Sequence, residues 1–366
     1  MANPFSLQAL PPAKAHFCLG VERFLQHELG LNLHGKRIVL GYSGGPDSTA
    51  LLLCLHALAP RLSLTLAAAH INHGIRAEST QEEKNCTTLC RSLGIPLLVH
   101  RANVPALAVS MKAGLEETAR KVRYDFFASL QSSWPYDFLA VGHHLDDLAE
   151  DVFLRLLRGT GWPALGGMVA HDVRRALIRP FLLTPRANIE DFLHSLPVPL
   201  AHDASNATDC TLRNRIRHHI IPFFLMENPQ FLQSIAGLSR LAQFDTAFFT
   251  RQIESTVATA PHAEPLPDSS PVRDDASAPE NRPELYPVPC SLDKAKLKAL
   301  PQSLRLRLYK QCLDSLGPGQ ALLSNLLDLD SCWLRNKGGS TIQFPGGKTA
   351  RIHKGNILFA FLAREV

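Results

Sequence analysis

The string Ser43-Gly44-Gly45-Pro46-Asp47-Ser48 has the residue types of a phosphate cradle. Two adjacent glycines let the backbone turn sharply and meet an anion with no Cβ in the way. Ser43 and Ser48 add hydroxyl donors, and Asp47 adds a carboxylate that can hold Mg²⁺ or orient the loop. The alternative is an ordinary strand-to-helix turn. No lysine follows these glycines, so this is not the Gly-x-x-x-x-Gly-Lys-Ser/Thr loop. Phe344-Pro345-Gly346-Gly347-Lys348-Thr349 imitates the end of that loop, but Ile342 stands where its first glycine is required. Pro-Gly-Gly between two strand-like runs reads as a hairpin turn.

A second string, Gly142-His143-His144-Leu145-Asp146-Asp147-Leu148-Ala149-Glu150-Asp151, gathers acids at helical spacing. Asp147 and Glu150 are i, i+3, and Asp146 and Glu150 are i, i+4, so one helix face collects their carboxylates. Crowded like charges call for a cation, such as Mg²⁺ shared with nucleotide phosphates. A solvated, capped acidic helix start is the alternative. His70-Ile71-Asn72-His73-Gly74-Ile75-Arg76 presents polar groups suited to an adenine, a ribose or a base, or forms a plain polar loop. Asp203 to His219 is the densest basic segment, with Arg213, Arg215 and Arg217 alternating with other residues. Arginine forks suit phosphates and base edges; a solvated basic face at a domain junction is the competing reading. The helix-like run from Leu115 to Tyr124, which contains Arg120, carries no chemistry by itself.

These strings fall on alternating elements. Strand candidates lie at 37–43, 64–71, 96–101, 138–143 and 175–179, with helices near 48–58, 77–93, 114–131 and 146–158. The pattern predicts an α/β fold, a parallel sheet with helices on both faces, followed by a smaller, mainly helical domain. Ligands of such sheets bind at the carboxyl ends of the strands, where Ser43, His70, Asn72, His73, His143 and His144 all fall. A leading helix is expected in 1–36, from Val21, Phe24, Leu25 and Leu29, and a further helix runs from Thr184 to Leu196. The expected domains are 1–220, a helical region 221–340 and a hairpin-like segment 341–366. Within the helical region, 257–290 holds eight prolines and reads as a flexible insertion.

The 366 residues carry a formal charge of +5, which permits an anionic partner such as RNA without demanding one. No run approaches the ~20 apolar residues that span a bilayer, and no secretory signal pattern opens the chain. A cytoplasmic protein with no membrane partner is expected. The eight cysteines are scattered, and only Cys86 and Cys90 are close. At i, i+4 that pair means helix packing, or less readily a metal pair.

Taken together and in order, five motifs resemble the tRNA(Ile)-lysidine synthetase family of PP-loop ATP pyrophosphatases. They are Ser43–Ser48, His70–Arg76, Ala119–Tyr124, His143–Glu150 and Asp203–Arg217. The match departs at Leu148 and Asp151, where the family commonly has Gln and Thr.

The resemblance implies an adenine-nucleotide α-hydrolase-like fold and a ligase using ATP and Mg²⁺. Its partners would be free L-lysine and an isoleucine tRNA with a CAU anticodon, with a homodimer allowed. ATP adenylates O2 of the wobble cytidine and pyrophosphate leaves; the lysine ε-amine then attacks C2 and AMP leaves. The product reads AUA instead of AUG.

On that basis Ser43, Gly44, Gly45, Pro46, Asp47 and Ser48 would bind ATP. Asp47 with Asp146 or Asp147 would hold Mg²⁺. Glu150 or His144 would take the proton of lysine. Arg120 and Arg213 would stabilise the adenylate, and Arg213, Asn214, Arg215 and Arg217 would contact tRNA. A tRNA thiolation enzyme of the same superfamily is the rival, but such enzymes often use Cys-x-x-Cys, which this chain lacks.

Overall fold

The computed structural model describes residues 4–75, 79–194, 196, 198, 211–258, 291–317 and 319–361. Arg76, the stretch from Asp203 to Cys210 and nearly all of the Pro-rich 257–290 segment lie outside the described residues. Two compact units divide the chain: Met1–Leu154 with Gly167–Ser239, and Arg155–Gly166 with Arg240–Val366.

In the first unit, α1 (Pro12–Arg23) is followed by β1 (Arg37–Gly41), α2 (Pro46–Leu62), β2 (Thr65–Asn72), α3 (Ser79–Ser92), β3 (Leu97–Arg101) and α4 (Val104–Met111). Then come α5 (Leu115–Ser133), β4 (Phe138–Ala140), α6 (Leu145–Leu157), β5 (His171–Asp172), β6 (Leu177–Ile178) and α7 (Arg186–Leu193). Short α8 (Leu212–Arg215) and α9 (Ile221–Glu227) precede α10 (Phe231–Ala258), which runs on into the second unit. The sheet order is β3-β2-β1-β4-β6-β5, parallel throughout except for the β5–β6 pair.

Strand β1 shows why this order holds. Ile38, Val39 and Leu40 are each no more than 1% exposed. Alternation sends Ile38 and Leu40 to one face, against α1 and α2, and Val39 to the other, against Phe127 and Leu130 of α5. A strand buried on both faces is apolar at every position, as this one is. Helix α2 is likewise apolar nearly all round, with Leu51, Leu52, Leu53, Leu55 and Leu58 sealed. Burying each such leucine contributes about 1.5–3 kcal/mol. Gly45 caps α2 in an extended conformation and Pro46 opens it, where a missing N–H costs nothing. The helix continues past the expected end at Leu58, through Pro60 to Leu62.

In the second unit the later part of the region expected to be helical, 221–340, separates into β7 (Ser291–Leu292), α11 (Lys294–Ala299), α12 (Gln302–Ser315) and α13 (Leu323–Leu334). Strands β8 (Thr341–Phe344), β9 (Lys348–His353) and β10 (Asn356–Phe361) complete an antiparallel sheet ordered β7-β10-β9-β8. Pro345-Gly346-Gly347 is the β8–β9 turn, with both glycines at positive φ. Lys348 is fully buried, and its Nζ donates to the carbonyls of Leu313, Gly317 and Gly319, each at 2.8 Å. The lysine of the Walker-like string is therefore a structural clamp. Among the described residues no helix is long and apolar enough to cross a membrane.

Candidate active site

A cleft of about 430 Å³ opens at the carboxyl ends of β1, β2 and β4. Its lining includes Ser43, Gly45, Asp47 and Ser48 from the first motif, His70, Asn72 and His73 from β2 and its loop, and His143 and Asp147 after β4. Strand polarity thus gathers three of the sequence motifs at one edge.

The Ser43–Ser48 loop is braced from within. Ser43 N–H donates to Ser48 Oγ at 3.3 Å, the two hydroxyls are 3.1 Å apart, and Ser48 Oγ donates to Gly45 O at 3.0 Å. Gly44 sits at φ +84°, and a Cβ there would stand 2.9 Å from Cys86 Sγ, so only glycine fits. Gly44 and Pro46 shape the turn, while Ser43, Gly45, Asp47 and Ser48 face the cleft. The α2 N-terminus supplies the unpaired N–H groups and dipole that suit phosphate.

After β4 the chain passes very close to that terminus. A Cβ on Gly142 would lie 3.1 Å from the Asp47 carbonyl carbon and 3.3 Å from Ser48 N. Next comes His144, only 2% exposed. Its Nε2 is 3.7 Å from Asp47 Oδ2 and 3.4 Å from Asp147 Oδ2, and its Nδ1 is 3.5 Å from Asp146 Oδ2. The last of these is within reach of charge attraction, yet Nδ1 lacks a well-aligned hydrogen-bond partner. Burial opposes charge on His144, but Asp146, Asp147 and Asp47 outweigh it and raise its pKa above the ordinary value. Burial also raises the Asp47 pKa, against the pull of His144 and Arg186. Burial works the same way on Asp147, but His144 and Arg213 prevail and hold it below the carboxylate range. Asp146 ends low as well, because burial is overcome by His144 and by the Arg186 N–H, which donates to its Oδ2 at 2.9 Å.

Glu150, at 0% exposure, is gripped by two arginines. Arg213 Nε reaches Oε2 and Arg217 Nε reaches Oε1, both at 2.5 Å, and the same arginines reach Asp147 Oδ1 at 3.0 and 3.3 Å. Of the two groups expected to take the proton of lysine, Glu150 is sealed with guanidinium on both oxygens, and His144 lies buried among three carboxylates that raise its pKa.

Arg120 is not among the residues lining the cleft. It is exposed on α5 with its guanidinium 5.0 Å from the Tyr124 ring centroid, whereas Arg123 and Tyr124 line the cleft. Of the expected tRNA-contacting residues, Asn214 is half-buried and Arg215 exposed on α8. Sequence reading did not single out Gly142, Arg123 or the Arg186 N–H. Gly142 carried a local signal, as a glycine between a strand and a helix, and Arg123 carried another, as the second arginine of the Ala119–Tyr124 motif.

Mg²⁺ fits one part of this arrangement. Among the described residues no three His, Cys, Asp or Glu side chains are placed to hold an ion by themselves. Mg²⁺ at nucleotide sites takes one or two carboxylates and completes its shell with phosphates and water. Asp47 has a buried oxygen, Oδ1, with no partner, while both oxygens of Asp147 are engaged.

A PP-loop domain family model matches residues 19–224. The chain is 45% identical over 333 residues to the tRNA(Ile)-lysidine synthase of Nitratidesulfovibrio vulgaris, covering 91% of this chain and 94% of that protein. It is 41% identical over 210 residues to the protein of the same name from Legionella pneumophila (strain Paris), covering 57% of this chain and 46% of the relative. The Enterococcus faecalis protein of that name is 34% identical, over 62% of this chain and 48% of its own length. The chain thus spans nearly all of the first relative and about half of the other two. A solved structure of the U34-tRNA thiolase NcsA from Methanococcus maripaludis shares the fold, with a TM-score of 0.52 at 18% identity over 63% of this chain and 80% of that one. With its phosphate loop, its paired acids and arginines, and near-full-length similarity at 45% identity, this chain belongs to the tRNA(Ile)-lysidine synthase family.

Proposed function

We propose that the protein ligates free lysine to C2 of the wobble cytidine in the CAU anticodon of an isoleucine tRNA. Cytosine O2 attacks the α-phosphorus of ATP and pyrophosphate leaves. The lysine ε-amine then adds to C2, and the C2–O2 bond breaks as AMP departs with the electron pair. One observation carries this reading: Asp47 of the phosphate loop and Asp147 of the arginine-bound array meet across a single histidine, His144, at 3.7 and 3.4 Å. A nucleotide-activating loop and a cationic array suited to a developing phosphate charge are therefore joined in one site.

Ser43, Gly45 and Ser48 bind the phosphates from the α2 terminus. Asp47 holds Mg²⁺, with Oδ1 as the available oxygen. The ion supplies charge neutralisation on the phosphates. His144 stands between Asp47, Asp146 and Asp147, and their carboxylates raise its pKa. Glu150 orients Arg213 and Arg217, and Arg213, about a third exposed at 34%, presents its open edge to the adenylate or the RNA. Among the described residues, the neighbouring cysteines give the thiolation alternative no support. Cys86 and Cys90 are 1% exposed, and burial pushes both thiols up to about 12, far from the reactive thiolate.

The test is incorporation of labelled lysine into an isoleucine tRNA transcript with a CAU anticodon, with ATP and MgCl₂, against a methionine tRNA control. ATP-dependent labelling of the isoleucine transcript alone is expected. Absence of label, with ATP bound, would reject the reading.

A further inference from the structure

His143 lines the cleft together with the phosphate loop and Asp147. Its surroundings fix its chemistry. Arg179, 7% exposed, lies just beyond β6. Its Nη1 donates to Val169 O at 2.5 Å and its Nε donates to His143 Nδ1 at 3.3 Å. Guanidinium has donors only, so Nδ1 must be the acceptor and the ring proton must sit on Nε2. The charged groups around the ring agree. Burial lowers the His143 pKa, Asp147 works against this, and the cations Arg179, Arg213 and Arg123 add to the lowering, in keeping with the neutral ring that the Arg179 donor requires.

The backbone sets where this donor stands. Gly142, the preceding residue, is packed on Asp47 and Ser48 so closely that its Cβ position is 3.3 Å from Ser48 N. His143 therefore emerges beside the α2 N-terminus, in the cleft that Asp147 also lines.

The geometry points to His143 as a hydrogen-bond donor, through Nε2–H, to a non-bridging α-phosphate oxygen of ATP, with Arg179 as the positioning residue that fixes its tautomer. This rests on the reading that ATP occupies the cleft. A fixed neutral donor aimed at the oxygen where charge builds stabilises the transition state, and needs no reorganisation when the reaction occurs.

Two variants separate the donor from its support. Asn in place of His143 keeps an acceptor for Arg179 and lacks the Nε2-like donor; Gln can place an amide N–H where Nε2–H stood. In tRNA-dependent ATP–pyrophosphate exchange, His143→Asn is expected to lower kcat about 10²-fold with the ATP KM changed less than about threefold. His143→Gln is expected to recover about tenfold of that loss. Equal loss in both, or no loss in either, would overturn the assignment.

Nitrogen-15 NMR of histidine-labelled protein reads the tautomer independently of turnover. Wild type should show a protonated Nε2 whose signal moves on adding a non-hydrolysable ATP analogue with MgCl₂, and Arg179→Met should mix the tautomers. A protonated Nδ1 in the wild type, or an Nε2 signal unmoved by the bound analogue, also overturns it. Exchange without lysine incorporation would instead remove the lysidine reading and leave the His143 assignment standing.

Discussion

Glu150 Oε2 accepts from Arg213 Nε at 2.5 Å across 63 residues of sequence, and the carboxylate is wholly sealed from solvent. Removing one partner of such a pair strands the others. Glu150→Gln should destabilise the first unit by about 3 kcal/mol, the lower end for broken buried pairs because both arginines keep a solvent-facing side. It should also slow ATP–pyrophosphate exchange and lysine transfer together, since Arg213 and Arg217 lose their anchor. Selective loss of the lysine step, with exchange intact, would mark Glu150 as the base.

Gly142→Ala tests the approach of β4 to the phosphate loop. The new methyl would meet the Asp47 and Ser48 backbone at 3.1–3.3 Å, and backbone cannot swing aside as a side chain can. The α2 terminus should be displaced, with a stability cost of about 1–3 kcal/mol and weaker ATP binding. Calorimetric titration with ATP checks this; an unchanged affinity would show that the two segments move together.

Gly44→Ala carries two penalties that a double mutant separates. The methyl meets Cys86 Sγ at 2.9 Å, and the φ of +84° disfavours any side chain. Adding Cys86→Ala should relieve the steric part and leave about 1–2 kcal/mol of backbone strain. A thermal-melting double-mutant cycle measures both. Full recovery in the double mutant would show that the loop readily leaves positive φ.

Glu83 gives a defined acid limb. Hydrogen bonds from Arg101 and then Asn72 lower its pKa from 4.5 to about 2. A depressed carboxylate contributes stability that is present above pH 4.5 and is lost as pH falls through about 2. The Tm difference between wild type and Glu83→Gln should be constant near neutrality and shrink across that interval. The same variant should loosen the cleft, because Glu83 holds Asn72 Nδ2 at 3.1 Å while Asn72 Oδ1 accepts from Gly74 N–H. A Tm difference that is flat down to pH 2 would show that Glu83 is not held as an anion.

What could be read along the chain depended on how local its cause was. Ile38-Val39-Leu40, the glycine pair and the Leu-rich run after it announce β1, the turn and α2 without help, because a buried strand and helix must be apolar. The 344–349 hairpin was equally plain from Pro345-Gly346-Gly347. Helix α4 was missed because Val104–Met111 is short and apolar at nearly every position, so its sequence shows no contrast between a buried and an exposed face. Strand β5 has only two residues. The acids, histidines and arginines of the site were legible as residue types, but their partners were not. Whether Glu150 meets water, lysine or Arg213 depends on where residues far along the chain are brought. Arg120 and Arg123, on one helix three residues apart, could be told apart only once the face of α5 was known.

Lys348 bears on how the second unit comes apart. Its ammonium is bonded to three carbonyls, one at the end of α12 and two in the connection that follows, while its own backbone starts β9. Peeling the β8–β9 hairpin away would strand a buried cation's three acceptors at once, and unwinding the end of α12 would strand the cation. Neither can fray alone at low free-energy cost. Hydrogen exchange should report one shared opening energy for the amides of α12 and β9, and Lys348→Met should split them into separately melting pieces. The helical and sheet portions of this unit are thus a single cooperative element, tied at one side chain.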